Sequence, residues 1–514
     1  MPFSGPALIN TAHLPSLLLK GVARSPNEIA LVSKEMSWTW RELEDVTCNV
    51  AGNLALWGLR PGDRIASLMP NRTHLLILYL ACFKAGVVIV PLNYRYTSTG
   101  IDHALATSGA SMLIYHSERE ADVSACSGAK QLRLGRLPYR PEDPDAPHYE
   151  NFYRKPPEES DIQPFGGNDP AAIFFTSGST GKPKGVTHSY DSLGAMFSSV
   201  ARAFELTVDD VILPGSSMSH LGGFMFSFAA LMTGVRVVVA RAYDSEELLP
   251  LLREQKPTVL CMLPSALLPL IRDHGATKGD FSGIRLCRSG SDKVPTELEE
   301  EFEELTGHKI DEGYGMSEVG LATLNPPEGV IKIGSVGIAT PGFEMSVRND
   351  AGEEVAAGVT GNLWMKTPGL MIGYWENPEE TKKTVQNGWI DSGDIVMVDE
   401  DNYLWFRGRK KQIIVHDGSN IFPQEVEDSI LDHPAVDAVG VIGIHDLIHG
   451  ENIRAYVKIR DGYDRPTAYQ LIEFSKAHIG YKAPEEIVFL DEIPLNATGK
   501  TDRLKLKEMA SAHH

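Results

Sequence analysis

The residues from Phe174 to Ser189, FFTSGSTGKPKGVTHS, combine the residue types that hold phosphate groups. Between Thr176 and Thr187 the segment has three glycines, two lysines and five hydroxyl side chains. Glycine lets backbone N–H groups approach an anion, lysine supplies positive charge, and a hydroxyl donates a hydrogen bond. The segment could therefore be a phosphate cradle, a surface linker or a nucleotide-binding P-loop.

The surroundings of this segment favour the phosphate cradle. The run 171–175 is short and apolar, which is typical of a buried strand, and apolar residues recur at helical spacing over 193–204. We predict that the segment connects this strand to this helix, where backbone N–H groups and the helix dipole favour an anion.

The spacing within the segment excludes a P-loop. A P-loop requires two glycines five residues apart and a hydroxyl residue directly after the lysine. Here Gly178 and Gly181 are three apart, and Lys182 is followed by Pro183. Taken by itself, a run of this composition is more often a solvated turn, so the rest of the chain must decide.

Strands and helices alternate along much of the chain. Thr39 to Glu42 has the form of a capping box, which predicts a helix ending near Gly58. The predicted elements that follow are a strand over 64–68, a helix over 73–85, and strands near 235–240, 258–262, 284–288 and 309–312 with helices between them. This alternation predicts doubly wound parallel sheets, whose ligands bind beyond the C-terminal ends of the strands.

The pattern changes twice toward the C-terminus. From about Ile331, short strands separated by glycines predict a β-rich, barrel-like subdomain. Beyond Gly408 a mixed strand and helix module follows. Because 514 residues exceed what one core supports, we predict a large α/β domain over 1–408, with two doubly wound sheets and the β-rich subdomain, and a small α+β domain over 409–514.

Composition narrows the classes of partner. The net charge of −20 argues against binding to nucleic acid, whose affinity for proteins depends on lysine and arginine. The five cysteines are scattered and lack metal-ligand spacing, which predicts reduced core thiols in a cytoplasmic protein. The N-terminus does not have the pattern of a signal peptide, and charged residues or glycines interrupt both apolar runs before the roughly 20 residues of a membrane span.

Seven segments, in order, resemble the signature motifs of the adenylate-forming superfamily, which includes acyl-CoA synthetases, nonribosomal adenylation domains and luciferases. They are TSGSTGKPKG at 176–185, YGMSE at 314–318, GSVG at 334–337, GYW at 373–375, NGWIDSGD at 387–394, FRGRKKQIIV at 406–415 and LNATGKTDR at 495–503. The resemblance implies an AMP-forming acyl-CoA ligase that uses ATP and Mg²⁺ to activate a carboxylic acid as an acyl-adenylate and then transfers the acyl group to coenzyme A.

The resemblance also implies roles for individual residues. The residues implied for the β- and γ-phosphates are Thr176, Ser177, Gly178, Ser179, Thr180, Gly181 and Lys184. Those implied for the rest of the nucleotide are Gly290, Ser291, Asp292, Tyr314, Gly315, Asp394 and Arg409. The implied catalytic residues are Lys500, Ser317, His220 and the Mg²⁺ ligand Glu318, with Lys411 as the hinge of the C-terminal domain and Gly418 near the thiol donor.

The chain departs from the superfamily pattern at two places. Ser317 stands where threonine is usual, which keeps the hydroxyl. Residues 290–294 read GSDKV where many acyl-CoA ligases have GGAPL, and Asp292 could accept a hydrogen bond from the adenine amino group. One alternative is therefore a ligase impaired in adenylation that only thioesterifies an acyl-adenylate.

The sequence leaves open which thiol accepts the acyl group and what the oligomeric state is. A carrier-protein phosphopantetheine is the alternative to coenzyme A, although ligases of that kind carry an insertion in the large domain, and the short span 318–334 shows no sign of one there. A luciferase-like oxygenase is a more distant alternative. A non-catalytic nucleotide-binding protein would be expected to lack Lys500, which is present. The oligomeric state is undetermined, a homodimer being one option.

Overall fold

A computed structural model describes the chain except for residues 1, 9, 144, 157–161, 177–182, 291–293, 417–418, 447–448, 497–498 and 512–514 and the side chains at 296 and 420. The helices of the described residues are α1 (Leu19–Arg24), α2 (Trp40–Leu56), α3 (Thr73–Ala85), α4 (Ser98–Ser108), α5 (Glu120–Ala125), α6 (Tyr190–Ala203), α7 (Leu221–Thr233), α8 (Ser245–Gln255), α9 (Pro264–Arg272), α10 (Thr296–Thr306), α11 (Pro378–Thr384), α12 (Pro423–Leu431), α13 (Ala468–Ile479) and α14 (Arg503–Ser511).

A nine-stranded sheet carries two of the segments predicted to bind a ligand. In spatial order its strands are β16 (Ile338–Ala339), β15 (Gly320–Leu324), β14 (Ile310–Met316), β13 (Leu286–Gly290), β12 (Val259–Met262), β10 (Val211–Gly215), β11 (Arg236–Val239), β2 (Ile29–Ser33) and β3 (Ser37–Thr39). The strands from β14 to β2 are parallel, whereas the pairs at both edges are antiparallel. The C-terminal ends of β13 and β14 therefore lie side by side, as doubly wound sheets require.

A seven-stranded sheet carries the glycine-rich segment. Its strands in spatial order are β19 (Gly373–Tyr374), β9 (Lys184–Ser189), β8 (Pro170–Thr176), β5 (Val88–Pro91), β4 (Arg64–Leu68), β6 (Met112–His116) and β7 (Arg136–Tyr139). The largest apolar core packs residues of both sheets against α2, α3, α6 and α7. The predicted α/β fold is thus confirmed, with antiparallel strands added at the edges of the parallel sheets.

The predicted helix over 193–204 is present as α6, but a strand that was not predicted separates it from the glycine-rich part of the segment. β9 comes first and pairs antiparallel with β8, with Thr176 opposite Lys184, and α6 begins only at Tyr190. Residues 185–189 are buried and extended, because they form a hairpin with β8 and pair on the other side with β19. The anion site must therefore depend on backbone and side-chain donors rather than on the dipole of α6.

Two further sheets follow the large ones. The β-rich subdomain is a six-stranded antiparallel sheet of β1 (Phe3–Ser4), β17 (Glu344–Arg348), β18 (Thr360–Lys366), β21 (Trp389–Val398), β20 (Val385–Gln386) and β22 (Leu404–Arg409). The C-terminal sheet has β24 (Ser419–Ile421), β23 (Ile414–His416), β26 (Gly450–Ile459), β25 (Val436–Asp446) and β27 (Glu486–Phe489). The predicted boundary after Gly408 falls at the end of β22 and stays a prediction.

The structure contains the capping box that was predicted at the start of α2. The Thr39 hydroxyl accepts the Glu42 N–H at 3.2 Å, and the Glu42 carboxylate accepts the Thr39 N–H at 2.9 Å, so the predicted capping box is present. All five cysteines are free. Four are buried as predicted, but Cys48 is exposed because it lies on the outward face of α2. No helix of the described residues is long and apolar enough to cross a membrane.

Asp311 on β14 gives a stability prediction. Its side chain is buried, its Oδ1 atom has no hydrogen-bond partner among the described residues, and burial raises the pKa of its carboxyl to about 7. An aspartate in the unfolded chain titrates near pH ~3.9. The folded state therefore binds this proton more tightly, and the protein loses stability as the pH rises from about 4 to about 7.

We expect Asp311→Asn to raise the melting temperature at pH 8 and to raise it less at pH 5, because only part of the destabilisation that accumulates between about pH 4 and about pH 7 is present at pH 5. Each unit of pKa shift corresponds to about 1.4 kcal/mol, so the gain at pH 8 should be on the order of a few kcal/mol. Calorimetry at both pH values measures it. The control is Asp461→Asn at an exposed position. An equal effect at pH 5 and pH 8 would contradict the assignment.

Candidate active site

The ends of the β8–β9 hairpin flank the predicted phosphate segment. Thr176 and Lys184 are register partners, while Ser177, Gly178, Ser179, Thr180 and Gly181 lie outside the described residues. The Lys184 ammonium forms an ion pair with Glu380 on α11 and lies 5.2 Å from the centre of the Tyr374 ring. Sequence reasoning assigned no role to Glu380 or Tyr374, although Tyr374 belongs to the GYW motif.

Tyr374 connects Lys184 to the predicted metal ligand. Its hydroxyl donates to Oε1 of Glu318 at 2.9 Å, and the Glu318 side chain is buried. Burial raises the pKa of the Glu318 carboxyl, an effect that the Tyr374 hydroxyl partly offsets. A cation beside this carboxylate would restore its charged form. Lys184 and Glu318, which the sequence separates widely, thus meet at one tyrosine.

The loop that holds Ser317 and Glu318 is anchored by His188, which sequence reasoning missed. His188 Nε2 lies 2.7 Å from the Ser317 carbonyl oxygen, and Nδ1 lies 3.2 Å from the Ser192 hydroxyl. Burial lowers the pKa of His188 to about 4, so the ring is neutral and Nε2–H donates to the carbonyl. The histidine was visible at the end of FFTSGSTGKPKGVTHS, but nothing in its spacing indicated a partner 129 residues away.

Tyr314, Asp394 and Arg409 form the predicted nucleoside site. The Tyr314 hydroxyl donates to Oδ2 of Asp394 at 2.6 Å, and Arg409 Nε lies 3.3 Å from Oδ1. Asp394 and Arg409 are register partners on β21 and β22. Burial raises the pKa of the Asp394 carboxyl, which Arg409 opposes. Oδ1 accepts no hydrogen bond from the described residues, so it can accept one from a ligand hydroxyl.

The predicted site glycines are explained by close packing of strands. A Cβ atom at Gly290 would lie 2.6 Å from the Gly313 carbonyl oxygen, and one at Gly315 would lie 2.3 Å from that of Gly320. Gly290 also has a φ of +146°, which side chains rarely tolerate. The next two predicted residues, Ser291 and Asp292, lie outside the described residues.

Lys500 and His220 come together from different domains. Lys500 is close enough to lower the pKa of both His220 and Asp394, although burial has the largest effect on each. His220 immediately precedes α7, and its Nε2 lies 3.3 Å from the Asn93 amide nitrogen. Lys411 lies in the turn after β22, whereas Gly418 lies outside the described residues. The structure therefore brings the C-terminal lysine to the site that β14 and β21 build.

Family comparisons agree with this geometry. A model of the family described as AMP-binding enzyme matches residues 18–375, and a model of the AMP-binding enzyme C-terminal domain matches residues 425–500. The chain belongs to the AMP-binding enzymes. The predicted membership of the adenylate-forming superfamily is confirmed.

Similar proteins include several acid–thiol ligases. The chain is 32% identical to a feruloyl-CoA synthase of Amycolatopsis sp. over 93% of this chain and 94% of the relative. It is 30% identical to ScoC, a fatty acid–[acyl-carrier-protein] ligase of Streptomyces coeruleorubidus, over 94% of this chain and 93% of the relative. These findings confirm the predicted class, an AMP-forming acyl-CoA ligase, which uses ATP and coenzyme A.

One similar solved protein is known in two states. The structure of ATP-bound MatB from Rhodopseudomonas palustris superimposes with a TM-score of 0.89 at 28% identity over 97% of this chain and 99% of MatB. The apo structure of MatB gives a TM-score of 0.78 at 27% identity over 98% and 99%. The overall arrangement of this chain is therefore more similar to the ATP-bound structure of MatB than to its apo structure.

Tyr314→Phe tests whether the hydroxyl positions Asp394. A hydrogen bond to a charged group contributes about 1.5–3 kcal/mol, so we expect KM for ATP to rise about tenfold or more while KM for the acid changes little. Steady-state kinetics with each substrate varied in turn measures both. Tyr456→Phe is the control, because it removes a buried hydroxyl in the C-terminal domain. An unchanged KM for ATP would show that Asp394 needs no such support.

Proposed function

We propose that the residues gathered at this site activate a carboxylic acid with ATP and then transfer the acyl group to coenzyme A. In the first half-reaction a carboxylate oxygen attacks the α-phosphorus, and the bond from that phosphorus to pyrophosphate breaks. In the second, the thiolate of coenzyme A attacks the acyl carbon and AMP leaves. The observation that carries the proposal is the gathering of Glu318 and Asp394, each held by a tyrosine hydroxyl at 2.9 and 2.6 Å, with Lys500 acting electrostatically on Asp394.

Lys500 would act in adenylation. The carboxylate and the α-phosphate repel each other, and negative charge builds up around the phosphorus as they react. A positioned ammonium stabilises that charge more in the transition state than before it. Asp394 and His220 mark the two sides between which the reacting groups would lie, so Lys500 would reach both.

The phosphate tail would be held by the hairpin. Thr176, Lys184 and the segment between them supply hydroxyls, backbone N–H groups and a positive charge, which suit the β- and γ-phosphates. The ion pair with Glu380 keeps Lys184 in a defined position on the Tyr374 ring. The Lys184 ammonium would thus already be in position when pyrophosphate leaves.

Mg²⁺ fits the residues present. The described residues contain no group of three or more histidine, cysteine, aspartate or glutamate side chains that could enclose a metal. Mg²⁺ is commonly bound by one or two carboxylates together with substrate phosphates and water, and the buried Glu318 carboxylate would be such a ligand. When bound, the metal ion would neutralise charge on the phosphates. Glu318 depends on Tyr374 for its orientation.

Tyr314 and Asp394 would hold the nucleoside. The ring of Tyr314 stacks against Phe406, with centroids 6.2 Å apart and planes 29° apart, which fixes an aromatic face at the end of β14. The free acceptor Oδ1 of Asp394 suits a ribose hydroxyl. Gly290, Gly315 and Ser317 would complete this wall through their backbone and hydroxyl groups.

The second half-reaction would require the C-terminal domain to rotate about Lys411. Lys500 would then leave the site, and the loop at Gly418 would approach the thiol. Likeness to the ATP-bound form of a related protein supports assigning the observed arrangement to adenylation. We propose coenzyme A as acceptor because the span 318–334 shows no sign of the insertion expected of ligases for carrier proteins, and because a feruloyl-CoA synthase is among the similar proteins. A boundary at residues 408–409, a homodimer and a cytoplasmic location stay predictions.

Lys500→Ala separates the half-reactions. We expect pyrophosphate release to fall by about 100-fold or more, since the charge on the reacting carboxylate and phosphate loses its counter-charge. Thioester formation from supplied acyl-adenylate should continue. Both are measured directly, by pyrophosphate release and by consumption of the coenzyme A thiol. Lys505→Ala on the exposed face of α14 is the control. Normal pyrophosphate release by the Lys500 variant would refute its role.

Lys184→Met removes one charge from the phosphate site and keeps a side chain of similar length. We expect KM for ATP to rise about tenfold, because charged hydrogen bonds to phosphate are lost. Thioester formation from acyl-adenylate, which has no β- or γ-phosphate, should not change. Lys382→Met on α11 is the control, because that lysine is exposed and lies two residues from Glu380. Equal losses in both half-reactions would contradict a role restricted to the phosphates.

A further inference from the structure

Arg288 is a buried guanidinium on β13 to which the function above gives no role. Only 6% of its surface is exposed, and Nε has no hydrogen-bond partner among the described residues. Nη2 donates to the Gly313 carbonyl oxygen at 3.2 Å, and the guanidinium carbon lies 5.3 Å from the centre of the Phe226 ring. No described carboxylate forms an ion pair with it, although arginine remains charged in proteins.

The groups beside Arg288 do not form an ion pair with it among the described residues. Its register partners on the neighbouring strands are Cys261 and Asp311. Burial raises the pKa of Cys261 to about 12, so the thiol is neutral, and raises that of Asp311 to about 7, which is opposite to the effect of an ion pair. Glu312 favours the charged guanidinium from beyond ion-pair distance, and its Oε1 accepts the Val294 N–H at 2.9 Å.

Arg288 lies beside the predicted site. Nη2 is 3.0 Å from where a Cβ atom of Gly290 would stand, next to the predicted nucleotide wall. Phe226, which the guanidinium faces, is on α7, the helix that begins directly after His220. A Cβ atom at Gly222 would be in van der Waals contact with the Phe226 ring and the Ser216 hydroxyl, both at 3.9 Å, so both groups lie beside this glycine.

A second polar group, the Ser216 hydroxyl, lies beside Gly222. The Ser216 hydroxyl is buried and has no hydrogen-bond partner among the described residues. A pocket for a purely apolar acyl chain would leave both this hydroxyl and the Arg288 Nε–H unpaired, and a buried unpaired charge is costly. A carboxylate can accept two parallel N–H bonds from a guanidinium and a further bond from a hydroxyl.

We infer that Arg288 is a specificity-determining residue that binds a second carboxylate at the far end of the acyl group. The substrates would then be dicarboxylic acids, with one carboxylate activated by ATP and the other held between Arg288 and Ser216. This inference rests on the proposed function, because it places the activated carboxylate at Lys500 and His220.

Wild-type protein tests the inference without a substitution. Pyrophosphate release and coenzyme A consumption are measured with acids matched in carbon skeleton: butanoate with succinate, hexanoate with adipate, and benzoate with terephthalate. A site built to bind a polar group discriminates strongly against an analogue that lacks it, so kcat/KM for the best dicarboxylate should exceed that of its partner by about tenfold or more. A preference for every monocarboxylate overturns the inference and leaves the ligase activity established.

Two substitutions of Arg288 test whether this residue causes the preference for dicarboxylates. Arg288→Met keeps a long apolar side chain and should remove or reverse the preference, lowering the dicarboxylate to monocarboxylate ratio by about tenfold or more. Arg288→Lys keeps the charge but loses the two-pronged geometry, and should retain part of the preference. Melting temperature and ATP binding establish that each variant is folded. An unchanged ratio in Arg288→Met overturns the inference.

Asp311→Asn tests the alternative that Asp311, rather than the substrate, is the partner of Arg288. It removes the carboxylate that is the register partner of Arg288 and should leave the ratio unchanged if the substrate supplies the counter-charge. Loss of the preference in Asp311→Asn would instead make Asp311 the partner of Arg288 and overturn the inference. A protein that consumes no coenzyme A with any acid of the panel would refute the proposed function together with it.

Discussion

The hydrogen bond from Tyr314 to Asp394 is the contact on which the assembled site depends. Tyr314 ends β14 of the nine-stranded sheet, and Asp394 belongs to β21 of the antiparallel subdomain, so one bond of 2.6 Å joins the two. Arg409 beside Asp394 lies where the chain leaves that subdomain for the C-terminal sheet, and Lys500 of that sheet's domain approaches Asp394. Three packed bodies therefore meet at one buried carboxylate.

Burial of charge is common to the functional groups of this protein. Glu318 and Asp394 have carboxyls whose pKa is raised by burial, and Arg288 has a guanidinium whose pKa is lowered by it. Each charged form is incompletely compensated by the protein itself, which costs stability. A nucleotide, a metal ion and an acid would supply the missing partners. The free energy that the protein loses by burying these groups would then be recovered only when a ligand of matching charge binds.

The bounds of several strands and helices followed from the residue pattern of their own segments. The strand over 64–68 and the helix over 73–85 begin and end where apolar pattern and flanking glycine indicated, and the capping box at Thr39 is formed. The helix predicted over 193–204 is present, but the strand at residues 184–189 before it was not predicted. Those residues become a strand because β8 and β19 offer hydrogen-bonding edges on both sides, and neither edge is visible in the segment's own pattern.

The order of motifs by itself determined the family, because each motif is local and its residue types carry its chemistry, and it predicted the two-part organisation and the residues of the candidate site. Tertiary structure alone decided the partners: Glu380 for Lys184, His188 for Ser317 and Asp394 for Tyr314, across 196, 129 and 80 residues. It also left Arg288 buried without a carboxylate beside the predicted acyl site. Such contacts arise from packing between separate sheets, so no spacing along the chain encodes them.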